Sequence, residues 1–263
     1  MNVVREQIRL LRATARFFGI VAVVAGFAAV LAAVPAVASE KPYIVVVNDA
    51  PPFRLVENWG GKSGYSGAYI DTILELSHRT GIPLEFRAVP FARAFQMMKT
   101  GEADMMLGPT WNIERAEYMA YLRAAFPAES KVFYLSRSAL DISRYSDLKK
   151  VTIGVLLGAR YFDPFDKDRS LKKVTLPRYE NAFKMLDRER IDVLIIPERQ
   201  GRYMMRNFGY EFRTSSFRVP GKPSFITLSH ASRLLAQKDR IERAMDELKA
   251  EGYFERVMLL YLE

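Results

Sequence analysis

The strongest constraint on the fold is a unit that occurs twice along the chain. Ala94-Phe95-Gln96-Met97-Met98 leads through a short turn to Asp104 and the apolar run Met105-Met106-Leu107, which ends at Gly108-Pro109. Further on, Ala182-Phe183-Lys184-Met185-Leu186 leads to Asp192 and Val193-Leu194-Ile195-Ile196, which ends at Pro197. Each copy reads as an amphipathic helix, a turn, an Asp and a buried strand. An earlier pair of strands matches in style. Tyr43–Val47 runs into Asn48-Asp49-Ala50-Pro51-Pro52-Phe53, and residues 152–157 run into Gly158-Ala159-Arg160-Tyr161-Phe162. Helices alternating with strands predict an α/β architecture, and the duplication predicts two similar lobes. The plainer alternative is that any two helix–strand units share this pattern.

Residues 1–38 read as an export address. Arg5, Arg9, Arg12 and Arg16 make a basic start, residues 17–34 are almost wholly apolar, and Ala36-Val37-Ala38 offers a cleavage site before Ser39. The apolar run approaches the length of a membrane span, so an uncleaved anchor is the alternative. Pro35 and the small residues at 36–38 favour removal and release into a bacterial periplasm. The chain has no Cys, which an exported domain tolerates when its core is large enough. Removing the address takes away four Arg and Glu6, leaving +6 of the net charge of +9. The basic residues are scattered and carry no aromatic-interleaved motif, so a nucleic-acid partner is not expected.

A pass along the rest predicts a strand at Tyr43–Val47 and a Gly- and Pro-rich loop over residues 49–67. A helix then starts near Asp71 and ends near Gly81. A strand over residues 83–89 and a helix over Phe91–Thr100 follow, the helix with Phe95 and Met98 inward. Residues 114–121 read as a short helix, and residues 130–136 as an extended crossing. The second lobe is expected to begin with the strand at residues 152–157, followed by a helix, a strand at 173–176, a helix at 179–188 and a strand at 193–196. Residues 225–228 would form the return crossing, before a helical tail broken at Gly252.

The clearest functional signal lies in residues 99–127. The strand Met105-Met106-Leu107 opens into a loop holding Gly108, Thr110 and Trp111, and Arg115 follows Glu114. A hydroxyl and a guanidinium five residues apart, past the carboxyl end of a buried strand, suit a small carboxylate. That sheet edge is where ligands bind in α/β folds, and Arg grips a carboxylate through two parallel N–H bonds.

On these residues the chain resembles a family-3 periplasmic solute-binding protein, the receptor class of amino-acid-type ABC importers. The resemblance covers residues 41–263. It rests on Ala50-Pro51-Pro52-Phe53, Gly67-Ala68-Tyr69-Ile70-Asp71, Gly101-Glu102-Ala103-Asp104, Thr110 through Glu114-Arg115, Gly154-Val155-Leu156-Leu157-Gly158, Ile191-Asp192 and Gly252-Tyr253-Phe254. It implies a type II periplasmic binding protein: two α/β lobes, a ligand cleft between them and a two-stranded hinge. Lobe 1 would be residues 39–131 plus 222–263, with lobe 2, residues 132–221, inserted in it. Residue by residue, Arg115 matches the Arg that clamps the ligand's α-carboxylate, Thr110 a ligand-binding hydroxyl and Gly108 a backbone contact. Trp111 either walls the site or packs on the surface.

The departures from the family pattern concern the ligand. Ala50 and Pro51 stand where amino-acid binders carry an aromatic residue, although Phe53 remains. The position that usually holds the ligand's ammonium group is Pro197. Glu198 beside it and Asp49 are the candidate replacements. A hydroxyl position after Gly158 is Arg160, which could meet a second anionic group beside a helix start or simply pair with Asp163 or Asp166. Arg93, beneath the proposed cleft, completes the candidate set. The implied function is capture of a small carboxylate-bearing solute by lobe closure and delivery, as a monomer, to an ABC permease in the inner membrane. A ligand sensor for a membrane partner is the alternative, with a dehydratase acting on a prephenate-like acid as a lesser one. The two histidines, His78 and His230, lack metal-ligand spacing, and neither a nucleophile elbow nor a P-loop is present, so neither catalysis nor a cofactor is expected.

Overall fold

The computed structural model describes residues 41–59, 62–123, 126–136 and 141–262, so the expected export address lies outside the described residues. Its elements begin with β1 (Tyr43–Val47), β2 (Leu55–Trp59), β3 (Lys62–Ser66), α1 (Ala68–Thr80), β4 (Leu84–Ala88), α2 (Phe91–Thr100) and β5 (Met105–Thr110). They continue with α3 (Ile113–Ala116), β6 (Met119–Tyr121), β7 (Phe126–Leu135), β8 (Thr152–Leu156), β9 (Lys172–Leu176) and α4 (Tyr179–Asp187). The last are β10 (Val193–Pro197), α5 (Glu198–Phe208), β11 (Arg213–Ser229), α6 (Lys238–Ala250) and α7 (Tyr253–Leu262). Strands pair in the order β4-β1-β5-β11-β7-β10-β8-β9, with β6 against β11 and β2–β3 as a separate hairpin.

Two helix-covered halves result. In the first, β1 pairs in parallel with β4 and β5, and consecutive valines face opposite layers. Val45 and Val47 join one core with Ile70, Ile73 and Leu248, whereas Val46 joins another with Phe95, Met98 and Met106. Both faces of the strand are buried, so the run is apolar throughout rather than alternating. In the second half β10 divides likewise, with Val193 and Ile195 against Phe133, and Leu194 and Ile196 against Phe183. Helix α2 starts after Pro90 and stops at Gly101, whose φ of 76° closes the last turn. Its inward Phe95 and Met98 each contribute about 1.5–3 kcal/mol by leaving water.

The repeated Asp has the same task in both halves. Asp104 Oδ2 accepts the Ile44 N–H at 2.6 Å, and Asp192 Oδ2 accepts the Thr152 N–H at 2.6 Å. The backbone repeats the exchange: Asp104 N–H donates to Ile44 O and Asp192 N–H to Thr152 O, both at 2.9 Å. Each Asp carbonyl also receives an N–H from a strand that connects the halves, from Ser229 for Asp104 and from Ser136 for Asp192. The duplication read in the sequence is thus a duplicated backbone clamp.

The halves are joined through β7 and β11. Val132 to Leu135 pair with β10, and Ile226 to Leu228 pair with β5, so these residues belong to the sheets proper. The connecting ladder lies just outside them, where Glu129 faces Lys222 and Phe126 faces Ser224 with an irregular register. Both crossings therefore begin a few residues earlier than residues 130–136 and 225–228. Pro127, Ala128, Pro220, Lys222 and Pro223 are exposed there, which leaves little buried apolar contact to resist bending.

Several expectations change. The loop over residues 49–67 contains the β2–β3 hairpin, and residues 114–121 divide into α3 and the strand β6. The helix expected after Gly158 is a run of turns, so Arg160 has no helix start beside it. Helix α5 was not anticipated, because Gly201 and three Arg hide its apolar side. Asp192→Ala is expected to cost about 1.5–3 kcal/mol through loss of a charge-assisted bond to backbone. Asp104→Ala, which also loses Ser232 Oγ at 2.5 Å, should cost at least as much. Urea unfolding measures both, and unchanged stability would show that the clamp contributes nothing.

Candidate functional site

The carboxyl ends of β1 and β5 face the second half across a cavity of about 110 Å³. Gly108 sits near the end of β5 with φ of 83°, a left-handed conformation that favours glycine. A Cβ there would lie 2.0 Å from Arg54 Nη1, so the absent side chain also makes room for that guanidinium. Thr110 ends the strand and Asn112 caps α3, its side chain accepting the Arg115 N–H at 3.2 Å. Thr110, two residues before that cap, takes no part in it.

This cap fixes the start of the Arg115 side chain, which then turns under the first half. Its guanidinium carbon lies 3.8 Å from the Phe95 ring centroid, a cation–π contact worth about 0.5–2 kcal/mol. Its Nη2 donates to Gly158 O at 2.7 Å, in the opposite half. Arg115 is only 7% exposed, and among the described residues no carboxylate pairs with it. Burial pushes the guanidinium down from its ordinary value, with Arg160 adding to the effect and Tyr121, Tyr118 and Glu114 opposing it. Gly158 itself packs against the start of α2, where a Cβ would come 3.1 Å from Ala92. The two halves touch through this small-residue contact and through an ion pair of 3.4 Å between Arg160 and Glu114.

Gly108, Thr110, Arg115 and Arg160 of the candidate residues line the cavity together. The others do not. Trp111 is 54% exposed and lines no part of it. Phe53 is in the core beside Tyr69, at the edge of an adjoining cavity of about 90 Å³. Asp49 points to a separate groove and accepts the Val56 N–H at 3.1 Å; burial raises its carboxyl above the usual value. Arg93 pairs with Glu102 at 2.7 Å on the surface. Glu198 is held by Arg202 at 2.5 Å and Arg218 at 2.8 Å, outside the cavity. Neither candidate for an ammonium partner lines the cavity.

Sequence reasoning passed over Arg54, Lys131, Asn48, Tyr161, Tyr179 and Gln200, which supply the remaining polar side chains of the lining. Arg54 is set by a tight turn in which Ala50 N–H donates to Arg54 O and Arg54 N–H to Ala50 O. Its position after Ala50-Pro51-Pro52-Phe53 at the end of β1 obeys the same sheet-edge rule that singled out Thr110 and Arg115, which makes it the one legible omission. From the other half, Tyr161 OH shares a hydrogen bond of 3.3 Å with Tyr179 OH, in which either hydroxyl can donate, and accepts the Leu156 N–H at 2.8 Å. Burial raises the Tyr161 phenol to about 12, so it stays protonated and neutral. Among the described residues lining the cavity none is acidic. Gly108→Ala is expected to cost about 1–3 kcal/mol, from its left-handed φ and the collision with Arg54. Thermal unfolding measures it, and wild-type stability would contradict the packing.

The profile of the bacterial extracellular solute-binding proteins, family 3, matches residues 43–262. No curated protein matches the chain. Among solved structures, the substrate-binding protein of an amino acid ABC transporter is similar at a TM-score of 0.71 and 20% identity, over 84% of this chain and 99% of that one. An ancestral arginine-binding protein bound to arginine gives 0.71 and 20%, over 84% and 98%. An amino acid ABC transporter substrate-binding protein from Streptococcus pneumoniae bound to L-arginine gives 0.72 and 18%, over 84% and 94%. These likenesses establish a shared two-lobed fold, and the profile spans nearly every described residue. The chain belongs to family 3 of the bacterial extracellular solute-binding proteins.

Proposed function

We propose that this protein is an exported receptor that captures a small carboxylate-bearing solute between its lobes and delivers it to an ABC importer. One observation carries the reading. Arg115 is a buried guanidinium that faces the cavity without a carboxylate partner among the described residues, while its other contacts come from both halves of the molecule. Burying an unpaired charge is costly, and an incoming carboxylate removes that cost through two parallel N–H bonds. Thr110 and the backbone at Gly108 add donors beside it.

The lobes are taken as residues 39–131 with 222–263, and residues 132–221, bending at the exposed ladder near Glu129 and Lys222. In the closed form Gly158 rests on Arg115 and Ala92, the contacts this structure already holds, and water is excluded from the bound carboxylate. The resemblance to amino acid ABC transporter receptors supports a permease as the partner of the closed form. The basic and apolar start of the chain, with Ala36-Val37-Ala38 before Ser39, supports removal of residues 1–38 on export to the periplasm. The protein is taken to bind reversibly, as a monomer, rather than to catalyse a reaction. Neither His230, which contacts Glu117 O at the surface, nor His78 lines the cavity.

A thermal-shift screen against amino acids, dicarboxylates and other small acids identifies the ligand class. A ligand at about 100 times its dissociation constant adds about 2.7 kcal/mol to the folded state. Titration calorimetry of Arg115→Ala should then show affinity weakened by about 2–5 kcal/mol, the cost of removing one partner of a buried charged pair. Unchanged affinity would remove the assignment.

A further inference from the structure

Arg115 is not alone in the cleft. Arg54 is 6% exposed and lines both the main cavity and the adjoining one. Among the described residues its only protein acceptor is Asn48 O, reached by Nε at 3.3 Å, and its guanidinium carbon lies 5.3 Å from the Tyr69 ring centroid. Asp49 and Glu129 attract it from a distance without forming an ion pair. Lys131 is likewise 6% exposed, lines the same two cavities and forms no ion pair among the described residues. Glu129, the one acid at the adjoining cavity, is engaged by the Arg199 N–H at the start of α5.

We propose that Arg54 and Lys131 form a second anion site beside Arg115, so that the ligand is a small dianion carrying one acidic group for each site. The proposal rests on the carboxylate-capture reading and names the ligand class of that same cleft. Three observations converge on it. Both cations are buried, unpaired and aimed into shared space, where water solvates them poorly. Gly108 leaves its side-chain volume to the Arg54 guanidinium, which places the second site against the strand that leads to Thr110 and Arg115. The candidate partners for an ammonium group stand away from the cavity: Glu198 is saturated by Arg202 and Arg218, and Asp49 lines a separate groove. In the main cavity, whose lining among the described residues holds no acid, a zwitterion would bring its ammonium group beside Arg54 and Lys131, whereas a dianion compensates both buried clusters.

The second group is an anion whose identity, carboxylate or phosphonate, the same experiment separates. The full chain, purified after export, is titrated by calorimetry with succinate and glutarate, with their monoamides, and with 3-phosphonopropionate. Wild type is expected to bind a dianion about 30-fold or more tightly than the matching monoamide, the fold-change of one buried charged contact. The tighter of diacid and carboxyphosphonate identifies the second group. Arg54→Gln and Lys131→Gln should each shrink that ratio, and circular dichroism checks that each variant folds. If Arg54→Gln does not fold, Lys131→Gln and the wild-type ratio still decide. A monoamide bound as tightly as its diacid, or a ratio unchanged in a folded variant, overturns the second site. Monoamide binding that is lost in Arg115→Ala would then leave the capture reading standing. Absence of binding by every acid here would overturn the second site, and absence of binding by the amino acids of the thermal-shift screen as well would overturn both.

Discussion

A guanidinium buried without a carboxylate is a costly thing to fold around, and the organisation of this protein turns on Arg115. The side chain keeps its charge by dividing its contacts: the Phe95 ring below it, the Gly158 carbonyl across the cleft, and an open side toward the cavity. Phe95 belongs to a helix of the first half and Gly158 to a turn of the second. The same residue therefore connects ligand capture with the approach of the two halves. Arg160 and Glu114 add a surface pair to the same seam, but exposed pairs contribute little. The short, buried contacts decide.

The scaffold that holds this seam is a duplicated one. Asp104 and Asp192 each tie together the starts of two parallel strands of one half and accept a backbone N–H from a connection running between the halves. Each clamp fixes where its strand begins, and the strand's length then sets where the residues beyond it emerge. In the first half these are Gly108, Thr110 and, after a turn, Arg115. In the second they are Pro197 and Gln200, with Tyr161 and Tyr179 from neighbouring segments. Between the clamps, exposed residues around Glu129 and Lys222 form a narrow, irregular ladder. Rigid halves and a thin connection are what a closing cleft requires.

Much of this was legible in the residues. Runs buried on both faces, such as Tyr43–Val47, cannot be mistaken for surface strands, and the ends of α2 were marked by Pro90 and Gly101. The repeated Asp announced the two halves. What was not legible depended on tertiary contact. Nothing local distinguishes Glu198 facing the cleft from Glu198 paired with Arg202 and Arg218. Arg93 could not be read as Glu102's partner from spacing alone. Lys131 stands between the polar pair Glu129-Ser130 and an apolar run, and only the passage of β7 between the halves brings it to the cavity. Arg160 was read beside a helix that the chain replaces with turns. Arg54 is the instructive omission, since the sheet-edge argument that found Arg115 applies equally to the end of β1.

The most direct test of the central claim is a crystal structure of the protein with the tightest-binding small acid found by titration. The account predicts a carboxylate about 3 Å from the Arg115 guanidinium nitrogens, enclosed between the halves with Thr110 beside it. An acid bound elsewhere, or a carboxylate held in the cleft without contact to Arg115, would contradict it.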